Sequence, residues 1–252
     1  MSEIETVIQR LRADFLHLGV RPGGCLLVHS SLRALGPLAG GPETVIAGLE
    51  AVLGPQGTLL MPALSYAHVT PEHPVFDLLA TPSNVGVIPE TFRCQTGTLR
   101  SLHPTHSVCA RGKLADELTR WHGEDATPCG PNSPFSLLPE RDGQVLMLGC
   151  GLEPNTSMHA VEERIEPPYL FDPPLEYTLI LPGGERRTKI YRPHNFRGWR
   201  QRYDRLELPN AGLARGTAAE AECFLLDARA MWAAALECLR VDPLAFVEKE
   251  TA

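Results

Sequence analysis

The stretch Asn155-Thr156-Ser157-Met158-His159-Ala160-Val161-Glu162, read with Gln144-Val145-Leu146-Met147-Leu148-Gly149 just ahead of it, decides the fold. The earlier run is apolar and bracketed by Asp142-Gly143 and Gly149-Cys150-Gly151, the pattern of a buried strand. Asn155 is a good N-cap, so a helix opens there. A buried strand passing through a glycine turn into a helix is a unit of α/β architecture. On this helix Thr156, His159 and Glu162 recur every three residues and share one side. A carboxylate one turn away can orient an imidazole and make it more basic, as a general base requires. Taken alone, the pattern also fits a capped surface helix carrying a chance His/Glu pair.

Towards the N-terminus the α/β pattern repeats. Ile4, Val7, Ile8, Leu11, Phe15 and Leu18 recur at helical spacing, and Gly19 stops the helix. Cys25-Leu26-Leu27-Val28-His29 reads as a short buried strand. Gly40-Gly41-Pro42-Glu43 opens a helix to about Leu53, with Pro42 suited to its first turn. Thr58 to Met61 is the next strand. Residues 65–82, rich in Pro and His, read as a loop bordering a cleft. Residues 84–93 run from a loop into a helix, and another helix is expected from about Lys113 to His122. Beyond Glu166, Leu175–Leu181 and Arg187–Tyr191 flank Pro182-Gly183-Gly184-Glu185 as a hairpin. Residues 186–205 are strongly basic and carry Tyr191, Phe196 and Trp199. A last helix is expected to place Phe224, Leu225, Ala228, Met231, Trp232, Ala235 and Leu239 on one face. No repeat or linker is visible, so residues 1–252 read as one domain, with a basic hairpin and loop region at about 175–210.

Composition narrows the function. The chain has 252 residues, 43% hydrophobic and 21% charged, ordinary values for a globular protein with a sizeable core. A formal net charge of −7 argues against bulk binding to nucleic acid or acidic membrane. No apolar run approaches the ~20 residues of a membrane span, and the acidic, periodic N-terminus lacks the features of a signal peptide. Cysteines 25, 94, 109, 129, 150, 223 and 238 form no CxxC pair. Their odd number points to reduced thiols and a cytoplasmic location.

Several chemistries compete. There is no Walker motif and no complete GxGxxG after a strand, which leaves nucleotide hydrolysis and a Rossmann fold with little support. The hydroxyls, backbone N–H groups and Arg33 after His29 form a place where phosphate can sit, or an ordinary strand-to-helix loop. His103-Pro104-Thr105-His106 with Cys109 matches metal-ligand spacing only loosely, and no metal is expected. Cys150 ahead of His159 allows a Cys/His acyl-enzyme, although a structural thiol is the plainer reading and no GxSxG elbow is present.

Taken together the blocks say more. Leu27-Val28-His29-Ser30-Ser31-Leu32-Arg33-Ala34-Leu35-Gly36, Gly40-Gly41-Pro42-Glu43-Thr44-Val45, Gly57-Thr58-Leu59-Leu60-Met61-Pro62, His103-Pro104-Thr105-His106-Ser107-Val108 and Asn155 to Glu162 occur in one order. In these blocks, over roughly residues 5–165, the chain resembles the aminoglycoside 3-N-acetyltransferases, or antibiotic N-acetyltransferases. The resemblance implies an α/β fold with a mixed central sheet and flanking helices, distinct from GNAT acetyltransferases, and acetyl-CoA as acetyl donor. It implies His159 as general base, Glu162 as its orienting carboxylate and Thr156 as a neighbouring hydroxyl. It implies a cofactor-lining set of His29, Ser30, Ser31, Leu32, Val85, Gly86, Val87, Ser107 and Val108. The partner would be a small amine, on a monomer or homodimer. Two departures stand out. The family pattern has a long aromatic and acidic insertion where this chain has only Ser65 to Thr81. It also has an acidic region towards the C-terminus, where residues 185–205 here are Arg-rich. A basic lid would repel a polycation. A non-catalytic CoA- or carbohydrate-binding protein and a thioester or amide hydrolase are the alternatives.

Overall fold

The computed structural model describes residues 2–209 and 211–250. In chain order the elements are α1 (Glu3–Leu18), β1 (Cys25–Ser30), α2 (Gly41–Leu53), β2 (Thr58–Pro62), β3 (Val75–Asp77), α3 (Val87–Cys94), β4 (Leu99–Arg100) and β5 (Val108–Gly112). Then come α4 (Ala115–Thr119), α5 (Pro134–Leu137), β6 (Gln144–Leu148), α6 (His159–Glu162), β7 (Leu175–Ile180), β8 (Arg186–Tyr191) and β9 (Trp199–Gln201). The chain ends with β10 (Leu213–Ala218), β11 (Ala221–Asp227), α7 (Ala228–Val241) and β12 (Val247–Lys249).

A seven-stranded mixed sheet in the order β10-β11-β6-β1-β2-β5-β4 forms the centre. Strand β1 pairs in parallel with both β2 and β6, and the outer pairings are antiparallel. The parallel strands are buried on both faces, and their side chains alternate between two apolar layers. Leu26, Val28, Leu59, Met61, Leu146 and Leu148 pack towards α1, α2 and α3. Leu27, Leu60, Val145 and Met147 pack towards Met158, Ala160 and Val161 of the α6 turn and Met231, Ala235 and Leu239 of α7. Helix α1 buries Leu11, Phe15 and Leu18 completely or nearly so, roughly 1.5–3 kcal/mol of hydrophobic stabilisation each. Ser2 caps it, accepting from Glu5 N–H, and Gly19 ends it at φ 104°. Helix α2 crosses α1 at Gly48, where a Cβ would stand 2.8 Å from Leu11 Cβ.

The sheet and helices expected at 4–18, 25–29, 42–53, 58–61 and 144–149 are in place, as is the 175–191 hairpin, which pairs with β3 in a separate three-stranded sheet. Two expectations are corrected. Phe224 and Leu225 belong to β11, not to the last helix, which begins at Ala228 with Asp227 accepting from Ala230 N–H. Cys223, Phe224, Leu225 and Leu226 are all buried, so this run has no strand-like alternation to separate it from the helix that follows. The helix expected over 113–122 is only α4 with a 3₁₀ turn at His122–Glu124. There His122 is drawn into a hydrogen bond with Ser101 Oγ at 2.8 Å.

Candidate active site

The three parallel strands deliver their carboxyl ends to one cavity, the usual position for ligands in α/β sheets. Its wall includes His29 and Ser30 at the end of β1, Pro62 at the end of β2 with Leu64 just beyond it, and Cys150 and Thr156 after β6. The antiparallel partner β5 brings the loop before it, with His106, to the same end. His159, His194, Phe196 and Tyr203 close the remaining side, and the cavity volume is ≈ 580 Å³.

After β6, Gly149 takes φ 72° and turns the chain close under Ala34, where a Cβ would come within 2.5 Å of the alanine methyl. Asn155 caps the next turn by accepting from Ser157 N–H at 3.2 Å. The helix expected there is short: a 3₁₀ turn over Thr156–Met158 running into α6. That suffices to place His159 and Glu162 side by side. His159 Nδ1 lies 2.8 Å from Glu162 Oε2. Glu162 is wholly buried, and Tyr169 and Tyr203 also donate their hydroxyls to it, at 2.7 and 2.9 Å. Tyr203 Oη stands 2.8 Å from His159 Nδ1 as well. Burial and the Glu162 charge raise the pKa of both phenols, so both stay protonated as donors. With acceptors gathered on the Nδ1 side, the hydrogen-bond network assigns the proton to Nδ1 and leaves Nε2 its lone pair towards the cavity.

A second layer of imidazoles surrounds this pair. His106 and His194 lie edge-to-face against His159, with ring centroids at 5.9 and 5.0 Å. Burial holds both well below the ordinary histidine range, helped at His106 by His194 and at both by His159. His194 Nε2 faces Glu163 Oε1 at 2.7 Å. Burial pushes the Glu163 carboxyl up to about 7, against hydrogen bonds from Thr127 and Cys129. Phe196 covers His159 at 4.8 Å between ring centroids.

Of the residues expected to line the cofactor site, His29, Ser30 and Val85 are in the cavity wall. His29 Nε2 and Ser30 Oγ are buried without a hydrogen-bond partner among the described residues, and burial pushes the His29 imidazole down to about 3. Gly86 lies behind, at φ 119°, a Cβ there reaching 3.8 Å from Ser30 O, and Val87 begins α3. Ser31 and Leu32 are not among the lining residues: Ser31 N–H bonds Leu148 O, and Leu32 begins a 3₁₀ turn. Ser107 and Val108 are fully buried. The Ser107 hydroxyl donates to Ala63 O and accepts from Arg100 Nε, both at 2.8 Å. Arg33 is exposed and outside the cavity wall. Cys109, weighed as a metal ligand, sits inside the sheet with its thiol pushed up to about 12 by burial. Cys150 lines the cavity, but burial holds it at about 12, a thiol rather than a nucleophilic thiolate.

Sequence reasoning did not single out Tyr169, Tyr203 or His194. They lie 7, 41 and 31 residues from their carboxylate partners, beyond the reach of local spacing. The Arg-rich stretch also differs from its one-dimensional reading. Arg192 pairs with Glu166, Arg197 with Asp172, Arg200 with Glu153, Arg202 with Asp204 and Glu248, and Arg205 with Glu248. Its positive charge is largely balanced by carboxylates brought in from elsewhere.

Known proteins resemble this chain in sequence and in fold. The chain is 41% identical over 164 residues to aminoglycoside N(3)-acetyltransferase IV of Salmonella sp., an alignment covering 63% of this chain and 59% of that enzyme. It is 32% identical over 199 residues to aminoglycoside N(3)-acetyltransferase III of Serratia marcescens, covering 73% and 74%. The crystal structure of a histidine-to-alanine variant of aminoglycoside acetyltransferase AAC(3)-IVa with a bound gentamicin superposes with TM-score 0.80 at 34% identity, over 94% of this chain and 90% of that one. AAC-IIIb in a binary complex with CoASH superposes at TM-score 0.79 and 28% identity, over 93% and 96%. The family profile described as aminoglycoside 3-N-acetyltransferase matches residues 27–240. The chain therefore belongs to the aminoglycoside 3-N-acetyltransferase family, with that family's non-GNAT mixed α/β fold.

Proposed function

We propose that this chain, read as one acetyltransferase domain over residues 1–252, moves the acetyl group of acetyl-CoA directly onto an amine of an aminoglycoside or related amino sugar. The observation that carries this reading is the Glu162–Tyr169–Tyr203 cluster behind His159, which holds one ring nitrogen protonated and presents the other to the cavity. An ammonium cannot attack a carbonyl, so the acceptor must enter the reaction as a free amine. As its nitrogen bonds the thioester carbon, His159 Nε2 takes the N–H proton. Glu162 stabilises the resulting imidazolium. Thr156 lines the same wall, and its hydroxyl is the donor assigned to the oxygen on which negative charge develops. Collapse of the tetrahedral adduct breaks the C–S bond, and His159 returns its proton to the departing CoA sulfur. No protein nucleophile is needed, in keeping with a Cys150 held as thiol.

The donor's identity is supported by the relative bound to CoASH, and the acceptor class by relatives bound to a gentamicin, apramycin and sisomicin. The paired arginines of 192–205 remove the electrostatic ground on which a polycation would be excluded. The test is release of CoA thiol from acetyl-CoA with a panel of aminoglycosides and simple amino sugars. Amine-dependent release supports transfer. Release without any amine supports a thioester hydrolase instead, and CoA binding with no release under any condition supports the non-catalytic alternative.

A further inference from the structure

General-base catalysis needs one imidazole in the cavity, yet four line it and three of them converge. His106, His159 and His194 each offer a ring nitrogen, and these atoms lie within 4.8 Å of one another. One nitrogen of each ring is already engaged: His159 Nδ1 with Glu162 at 2.8 Å, His194 Nε2 with Glu163 at 2.7 Å, and His106 Nδ1 with Thr105 Oγ1 at 2.9 Å. What remains is Nε2 of His106 and His159 and Nδ1 of His194. The last is buried in a side chain only 3% exposed, and it has no hydrogen-bond partner among the described residues.

Imidazoles whose far nitrogens are held by carboxylates are how metal-binding histidines are oriented and made more basic. We propose that His106, His159 and His194 form a site for a divalent transition ion, zinc foremost, inside the cavity, and that the bound ion switches acetyl transfer off by occupying the free nitrogen of His159. Three histidines with the cavity side open give the three-ligand, tetrahedral arrangement that zinc takes with water in the fourth position. Glu162 and Glu163, adjacent in sequence, each stand behind a different ligand and together oppose the charge of the ion. Zn–N bonds of about 2.0–2.1 Å require donors about 3.4 Å apart, so the rings must close by up to about 1.5 Å. That binding stands on geometry alone; the switch rests on His159 being the base.

The probe is Co²⁺, titrated without CoA into full-length protein stripped of metal with EDTA. The expected result is one ion per chain, with the visible absorption of tetrahedral cobalt, displaced by Zn²⁺. His194→Gln should weaken binding at least a hundredfold, and Glu163→Gln, which leaves all three ligands in place, ten- to a hundredfold. Melting transitions identify which variant is folded, and either one suffices. Absence of stoichiometric tetrahedral cobalt, or unaltered binding in a folded variant, overturns the site. A Zn²⁺-loaded enzyme that still releases CoA thiol at the metal-free rate overturns the switch. The cobalt titration decides the site even if no amine is ever acetylated.

Discussion

Two regions of this molecule concentrate charge, and they do so in opposite ways. Around α6, a few ionisable groups are buried and locked: Glu162 fully enclosed, His159 beside it, two tyrosine hydroxyls on the carboxylate, and His106 and His194 against the ring. Between Arg192 and Arg205 many more charges lie at the surface, in pairs that solvent screens; the Arg197 side chain is 80% exposed against Asp172. The difference teaches where electrostatics can do chemistry. A buried carboxylate with no water to compensate it must be satisfied by fixed donors, and those donors fix the imidazole. An exposed ion pair gains little and fixes little.

The largest expected effect falls on the buried side. His159→Ala should lower kcat by about 10²–10⁴-fold, the usual worth of a general base. CoA should still raise the melting temperature, by about 2.7 kcal/mol of stabilisation at a hundredfold excess over Kd. A near-normal kcat would pass the role to His106. Glu162→Gln should lower kcat by a smaller factor and also destabilise the fold by about 1–3 kcal/mol, because an amide NH₂ replaces one acceptor among donors. Its kinetic defect should be strongly non-additive with His159→Ala. Tyr203→Phe removes a single buried hydroxyl and should cost stability of about 1 kcal/mol, with a kcat loss below that of Glu162→Gln. Additive losses in the double variants would mean that the cluster does not work as a unit.

Next comes pH. His29 is pushed to about 3 and His122 to about 4 in the fold, from an ordinary value of 6.5. Below pH 6.5 the unfolded chain binds protons that the folded chain refuses, so stability present above that pH is lost as pH falls towards 4. Glu163, raised to about 7 from 4.5, acts in the other direction: the folded state holds its proton longer, so stability declines as pH rises from 4.5 to 7. The histidines should prevail, on the order of several kcal/mol by pH 4. Glu163→Gln should steepen the acid decline. A melting temperature that stays flat from pH 6.5 to 4 would show that these imidazoles are not desolvated.

The smallest effect belongs to the arginines. Arg197→Ala should shift the melting temperature by no more than about 2 °C, less at high salt. It should also leave the ranking of cationic and neutral amino sugars unchanged. If it instead raised kcat/KM tenfold for a kanamycin- or gentamicin-type acceptor, the basic stretch would be an electrostatic barrier after all, and the comparison would fail on its exposed side.

Local order along the chain determined much of this protein. Helical spacing and Gly19 define α1, apolar runs define β1, β2 and β6, and the i, i+3 relation of His159 to Glu162 follows from one turn of helix. Such features depend on neighbours in sequence, and residue order states them directly. Tertiary structure decided the rest. The boundary between β11 and α7 is hidden because a strand buried on both faces has no alternation. Tyr203 reaches Glu162 across 41 residues, and His194 reaches Glu163 across 31, by way of the connection that carries the chain back over the cavity. The arginines of 192–205 read as a basic patch until Glu153, Glu166, Asp172 and Glu248 fold against them. Charge summed along the chain cannot give the field at a point in space, because that field depends on which groups lie close together and how much water lies between them.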